Sequence, residues 1–107
     1  MKEVDNEDDF AAIIAEGSQR VVALFYASWC PFCRSFLPIF EKYVQNFPVQ
    51  SLRVKIDDEM NPLWEKYEVM VVPTVILFYN GSVQRRLDGV LGSGLSEDQF
   101  KHFLERL

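Results

Sequence analysis

Cys30 and Cys33 are the only two cysteines in this 107-residue chain, and they stand three apart in Trp29-Cys30-Pro31-Phe32-Cys33. An apolar run, Val21-Val22-Ala23-Leu24-Phe25-Tyr26, precedes them and reads as a strand buried on both faces. Phe32, Phe36, Phe40, Tyr43, Val44 and Phe47 follow at helical spacing. The pair therefore sits where a strand hands over to a helix. First-turn N–H groups of a helix have no partners within it, and they would point at the Cys30 sulfur. Those groups and the helix dipole favour a thiolate, so the Cys30 thiol is expected to ionise below its ordinary range. A thiolate is the attacking species in thiol–disulfide exchange. Cys33, one turn on, is placed to attack a mixed disulfide held on Cys30. Cys30 is expected to be the exposed nucleophile and Cys33 the more buried resolving thiol.

The competing readings are an inert pair and half of a zinc site shared across a dimer. Two cysteines supply only half of a four-ligand site. The other potential zinc ligand considered, His102, lies among polar neighbours and reads as a surface residue. The strand–turn–helix setting, with Trp29 before it, favours redox chemistry.

The remaining elements must position that pair. Lys2–Val4 reads as a short strand. Asp5 or Asn6 caps a helix whose buried face is Phe10, Ile13 and Ile14, with Asp8 and Asp9 in the first turn and Gly17 as its stop. A strand is predicted over Arg20–Ala27, then a helix from Cys30 to about Phe47. Pro31 suits the first turn of that helix, and Pro38 should kink it. Ser51–Ile56 alternates as a strand, and Asn61-Pro62 opens a short helix carrying Leu63, Trp64 and Tyr67. Thr74–Tyr79 and Ser82–Leu87 form a hairpin across Asn80-Gly81. Gly89–Gly94 is a flexible link, and Ser96 starts a last helix with Phe100, Phe103, Leu104 and Leu107 as its stripe. The order βαβαβαββα predicts one α/β domain over residues 1–107, with a mixed sheet and helices on both faces.

The charge of −5 is concentrated at one end. Residues 1–16 hold six acids and one base, and the rest holds ten of each. No basic surface is available for nucleic acid. The apolar stretch around Val69–Tyr79 is broken by Pro73 and is far shorter than the roughly 20 residues a bilayer needs. The N-terminus lacks an apolar signal region, so a cytoplasmic protein with reduced thiols is expected.

Phe25-Tyr26-Ala27-Ser28-Trp29-Cys30-Pro31-Phe32-Cys33, then Pro38, Tyr67, Val72-Pro73-Thr74, Leu77-Phe78, Asn80-Gly81 and Gly89 together resemble the thioredoxin family along essentially the whole chain. The resemblance implies a thioredoxin fold, a four- to five-stranded sheet flanked by four helices, with a cis Val72–Pro73 bond against the cysteines. It implies reduction of disulfide-containing protein substrates, with electrons from a thioredoxin reductase, and no metal or bound organic cofactor beyond the redox-active Cys30–Cys33 pair. Trp29, Val72, Pro73, Gly89 and Val90 are expected to form an apolar substrate-binding rim, and a monomer is expected. On the residues alone, Pro73 also reads as a strand-start proline and Trp29 as a packed aromatic.

The chain also departs from that family. Pro31 and Phe32 replace the usual Gly-Pro between the cysteines, which is expected to tune the couple toward a more oxidising potential. Leu24 stands where the family places a buried Asp, the proton acceptor for the resolving thiol. Arg53, the basic residue that accompanies that Asp, must then find another partner or reach water. Release by Cys33 is expected to depend on water or substrate groups and to steepen with pH. Glu68 replaces a helix-ending glycine, and Met60 and Met70 read as packing or rim residues. The alternatives are a glutaredoxin-like activity, suggested by similarity of Cys30-Pro31-Phe32-Cys33 to that family's Cys-Pro-Tyr-Cys, and a polypeptide-binding module without electron transfer. Glutaredoxins use a Gly-Gly-x-Asp turn for glutathione, which this chain lacks.

Overall fold

The computed structural model describes residues 1–16 and 19–107. Gly17, the expected stop of the first helix, lies outside the described residues. The elements run β1 (Lys2–Val4), α1 (Glu7–Ala15), β2 (Arg20–Tyr26), α2 (Pro31–Val44), β3 (Gln50–Lys55), α3 (Leu63–Lys66), β4 (Thr74–Tyr79), β5 (Ser82–Leu87) and α4 (Glu97–Glu105). The sheet order is β1-β3-β2-β4-β5. β1 and β2 each lie parallel to β3, while β4 runs antiparallel to both β2 and β5. The antiparallel part thus reaches one strand deeper than the hairpin alone predicts.

The apolar run of β2 is buried because that strand has neighbours on both edges and helices over both faces. Phe25 of β2 and Phe78 of β4 pack edge-on with Phe10 of α1, and Tyr67 after α3 meets Phe78 edge-on and Phe25 at a tilt. Phe36 and Phe40 of α2 pack with Phe100 of α4, which stacks on Phe103.

Local chemistry sets the element ends. Asn6 caps α1, its side chain accepting from Asp9 N–H at 2.9 Å. Ser96 and Gln99 close a full capping box at α4. Asn80 (φ 53°) and Gly81 (φ 78°) both sit in the left-handed region that a two-residue hairpin turn demands. Glu68 takes φ 52° at the end of α3, a conformation that costs a side chain more than glycine. The α4 carbonyls of Phe103 and Arg106 receive the Arg85 guanidinium of β5 at 3.0 and 2.9 Å.

Candidate active site

The start of α2 fixes the cysteine pair. Cys30 itself is the N-cap, with extended backbone, and Pro31 follows in the first turn, where a missing N–H leaves no bond unmade. The Cys30 Sγ accepts from Cys33 N–H at 3.4 Å. The Cys30 thiol donates to the Val72 carbonyl at 3.6 Å. The helix start thus offers the sulfur a donor, and the opposite loop offers it an acceptor. The Val72–Pro73 bond is cis.

Cys33 is fully buried, and burial first of all, then its contact with Cys30, pushes its thiol up to about 12. Cys30 is only 6% exposed, so the expectation of an exposed nucleophile is corrected. The order of burial is as expected, but Cys30 lies on the floor of an apolar groove instead of at an open surface. Trp29, Phe32, Met70, Val72, Val90 and Leu91 contribute to its walls, which enclose about 240 Å³ and carry no charged side chain. Trp29 is 53% exposed and Phe32 41%. Of the expected rim, Trp29, Val72 and Val90 line this groove. Pro73 and Gly89 do not: Pro73 is buried, and Gly89 packs so closely that a Cβ there would stand 2.3 Å from the Pro73 carbonyl oxygen.

Two anchors hold the Trp29 side. The Asp57 carboxylate accepts from Ser28 N–H at 2.7 Å and from the Ser28 hydroxyl, and the Asp57 carbonyl accepts from the Trp29 indole at 3.0 Å. Desolvation would raise the Asp57 carboxyl, but the Ser28 bonds and Lys55 outweigh it and hold it below the ordinary range. The second anchor is the turn from Val90 to Gly94. Gly94 (φ +70°) lies against Phe32, with only 2.8 Å from a Cβ placed there to the Phe32 Cβ. Val90 and Gly94 exchange two backbone bonds of 3.0 and 2.7 Å. The expected flexible link is therefore a closed turn packed on the residue between the cysteines.

Leu24 is fully buried, and Arg53 lies opposite it in register on β3. Arg53 finds its partners on neighbouring elements, Glu3 at 3.5 Å and Glu41 at 3.3 Å. Met70 joins the rim, whereas Met60 is 85% exposed and does not pack, correcting that expectation. His102 is exposed beside the Asp98 carbonyl. Among the described residues, no three His, Cys, Asp or Glu side chains cluster as a metal site would require.

The thioredoxin family model matches residues 1–105. The chain belongs to the thioredoxin family. It is 33% identical to a thioredoxin H-type of Oryza sativa subsp. indica over 101 residues, covering 91% of this chain and 82% of that protein. It is 37% identical to Thioredoxin-1 of Saccharomyces cerevisiae over 82 residues, covering 76% and 78% of the two chains. Against mitochondrial thioredoxin of Mus musculus the figure is 36% over 106 residues, with 97% of this chain and 61% of that one covered. The fold matches the crystal structure of reduced Schistosoma mansoni thioredoxin pre-protein with a TM-score of 0.83 at 21% identity, covering 97% and 94% of the two chains. As a thioredoxin with its two cysteines adjoining at a helix start, the protein is a thiol–disulfide oxidoreductase acting on protein disulfides. No helix is long and apolar enough to cross a membrane among the described residues.

Asp57 and Trp64 belong to this site and were not singled out from sequence as site residues. Trp64 shares a second depression with Trp29 and Glu59. No spacing signal marks Asp57, because the loop after β3 meets Ser28 only through the tertiary fold.

Proposed function

We propose that this thioredoxin reduces disulfides in extended protein segments, with Cys30 as the attacking and Cys33 as the resolving thiol. The Cys30 thiolate attacks one sulfur of the target. The target S–S bond breaks, a Cys30–S bond forms, and the displaced sulfur takes a proton. Cys33 then loses its proton and attacks the Cys30 sulfur. The second target thiol leaves, and Cys30–Cys33 becomes the disulfide. The target gains two electrons and the pair loses two. A dithiol donor, for which a thioredoxin reductase is the natural class, returns the pair to its starting state. No metal or bound organic cofactor takes part.

The observation that carries this reading is the Cys30 sulfur at the N-cap of α2, within 3.4 Å of the Cys33 amide and facing the Val72 carbonyl. An amide donor and a helix N-terminus both favour the anion. Trp29, Phe32 and Val72 would shield the exchange from water, and Pro31 and Phe32 would tune the couple. The absence of the Gly-Gly-x-Asp turn weighs against glutathione as the donor. A reducing compartment suits the dithiol; the cytoplasm is the first choice, and the mitochondrion is also served by relatives.

Two measurements test the assignment. Insulin should be reduced by the protein with dithiothreitol, and Cys30 should react with iodoacetamide at pH 6 at least about tenfold faster than a free cysteine, since the thiolate is the reacting species. Labelling at the rate of free cysteine would remove Cys30 as the nucleophile.

A further inference from the structure

Thr74 opens β4, and among the described residues it is the buried polar side chain, 1% exposed. A hydroxyl in that setting must have its proton and its oxygen engaged. Its proton goes to the Val71 carbonyl at 2.6 Å, and its oxygen receives the Gly89 N–H at 3.2 Å. One side chain therefore ties together the two irregular segments on the far side of Cys30. None of the loop and cap backbone hydrogen bonds among the described residues involves Met70, Val71 or Val72. The Val72 carbonyl faces the Cys30 thiol, and Gly89 presses on the Pro73 carbonyl. The stretch that faces the reacting sulfur thus lacks a backbone ladder of its own and is held by the Thr74 hydroxyl.

We propose that Thr74 is a positioning residue for exchange with protein substrates, its hydroxyl keeping the Val72 backbone edge and the Gly89 turn in register with Cys30. Thr74 touches neither sulfur nor substrate. The proposal rests on the proposed function, and takes the extended substrate segment to pair its main chain with the Val72 backbone beside Cys30. Without the hydroxyl, the Val71 carbonyl and the Gly89 amide each lose a partner, and the edge relaxes toward water. A substrate that docks through its main chain then meets a displaced partner. A small disulfide with no main chain to dock does not.

The test compares Thr74→Val, which keeps the shape and loses the hydroxyl, with Thr74→Ser, which keeps the hydroxyl. Insulin and 5,5′-dithiobis(2-nitrobenzoate) are the two substrates. Thr74→Val should raise KM for insulin about tenfold, a factor equal to about 1.4 kcal/mol, with kcat changed less than about threefold and the small-disulfide rate within about twofold. Thr74→Ser should return KM to within about threefold of the parent. An unchanged KM in Thr74→Val, an equal loss on both substrates, or a Thr74→Ser that behaves like Thr74→Val would each overturn the proposal. Should Thr74→Val not fold, Thr74→Ala replaces it under the same criteria. A parent protein that reduces the small disulfide but not insulin would remove the underlying reading of protein substrates. A parent active on both with no effect of Thr74→Val removes the role of Thr74 alone.

Discussion

The groove beside Cys30 has two banks that are built differently. On the Trp29–Phe32 bank the start of α2 does most of the placing. Helix geometry puts Cys33 one turn from Cys30, and Asp57 and the Val90–Gly94 turn press on residues already set by that helix. The opposite bank, Met70–Val72 with Pro73 and Gly89 packed behind it, has no regular element at its centre. It rests on a glycine too close to a carbonyl for any side chain and on one buried hydroxyl. A bank made of helix can absorb local damage because its hydrogen bonds are many and cooperative. A bank made of a few unique contacts cannot.

The largest expected effect lies on the helical bank and concerns its chemistry. In the proposed exchange Cys33 must lose a proton to release the target, and its thiol is pushed up to about 12. At any pH below that value, each unit of increase raises the reactive fraction about tenfold. Release of a chromogenic thiol from a Cys30 mixed disulfide, measured in a single turnover, should therefore speed up about a hundredfold between pH 7 and pH 9. A flat profile would mean that a neighbouring base takes the proton, and that burial alone does not govern this bank. The same shift bears on stability. A thiol whose folded pKa lies above its unfolded value near 9 stabilises the fold fully below pH 9 and stops doing so as the pH rises toward about 12.

One substitution made on each bank then compares their tolerance. Gly89→Ala forces a Cβ to 2.3 Å from a backbone oxygen, so the chain itself must move. It should cost about 3 kcal/mol in chemical denaturation, at the upper end of overpacking penalties, and raise KM for insulin. Gly94→Ala puts a Cβ 2.8 Å from the Phe32 Cβ at a left-handed φ. It should cost about 1–2 kcal/mol, because the approach is less severe than the 2.3 Å at Gly89, and the turn that carries Gly94, with Leu91, Gly92 and Ser93 exposed, can shift as a whole, although rotating Phe32 leaves its Cβ in place. Equal losses of stability, or a larger loss from Gly94→Ala, would erase the distinction between the banks.

Legibility in the sequence followed the same division. Much that depends on neighbours in the chain could be read: the Asn80-Gly81 hairpin, the Ser96 cap, the apolar β2 and the helix that begins at the cysteines. The cis Pro73 was legible through family resemblance, since the residues alone also allowed a strand-start proline. Contacts between distant segments were not legible. Thr74 looked like an ordinary first residue of a strand, and its role appears only when Gly89, fifteen positions on, arrives at its oxygen. Cys30 was expected at the surface because a strand end delivers it there, but the walls of Trp29, Phe32 and Val72 rise around it. The Gly92-Ser93-Gly94 run suggested slack, yet two of its glycines adopt φ values of +84° and +70° within a closed turn, and the second makes room for Phe32.

Among the described residues no loop or cap backbone hydrogen bond reaches Val72, and under the docking proposed above this has a consequence for client choice. Main-chain amides and carbonyls are the same in nearly every residue, so a docking edge made of them reads no message in its visitor. Apolar walls add a taste for greasy neighbours without naming any. A device of this kind can serve a broad repertoire of oxidised proteins, sorted by how much slack chain each can spare.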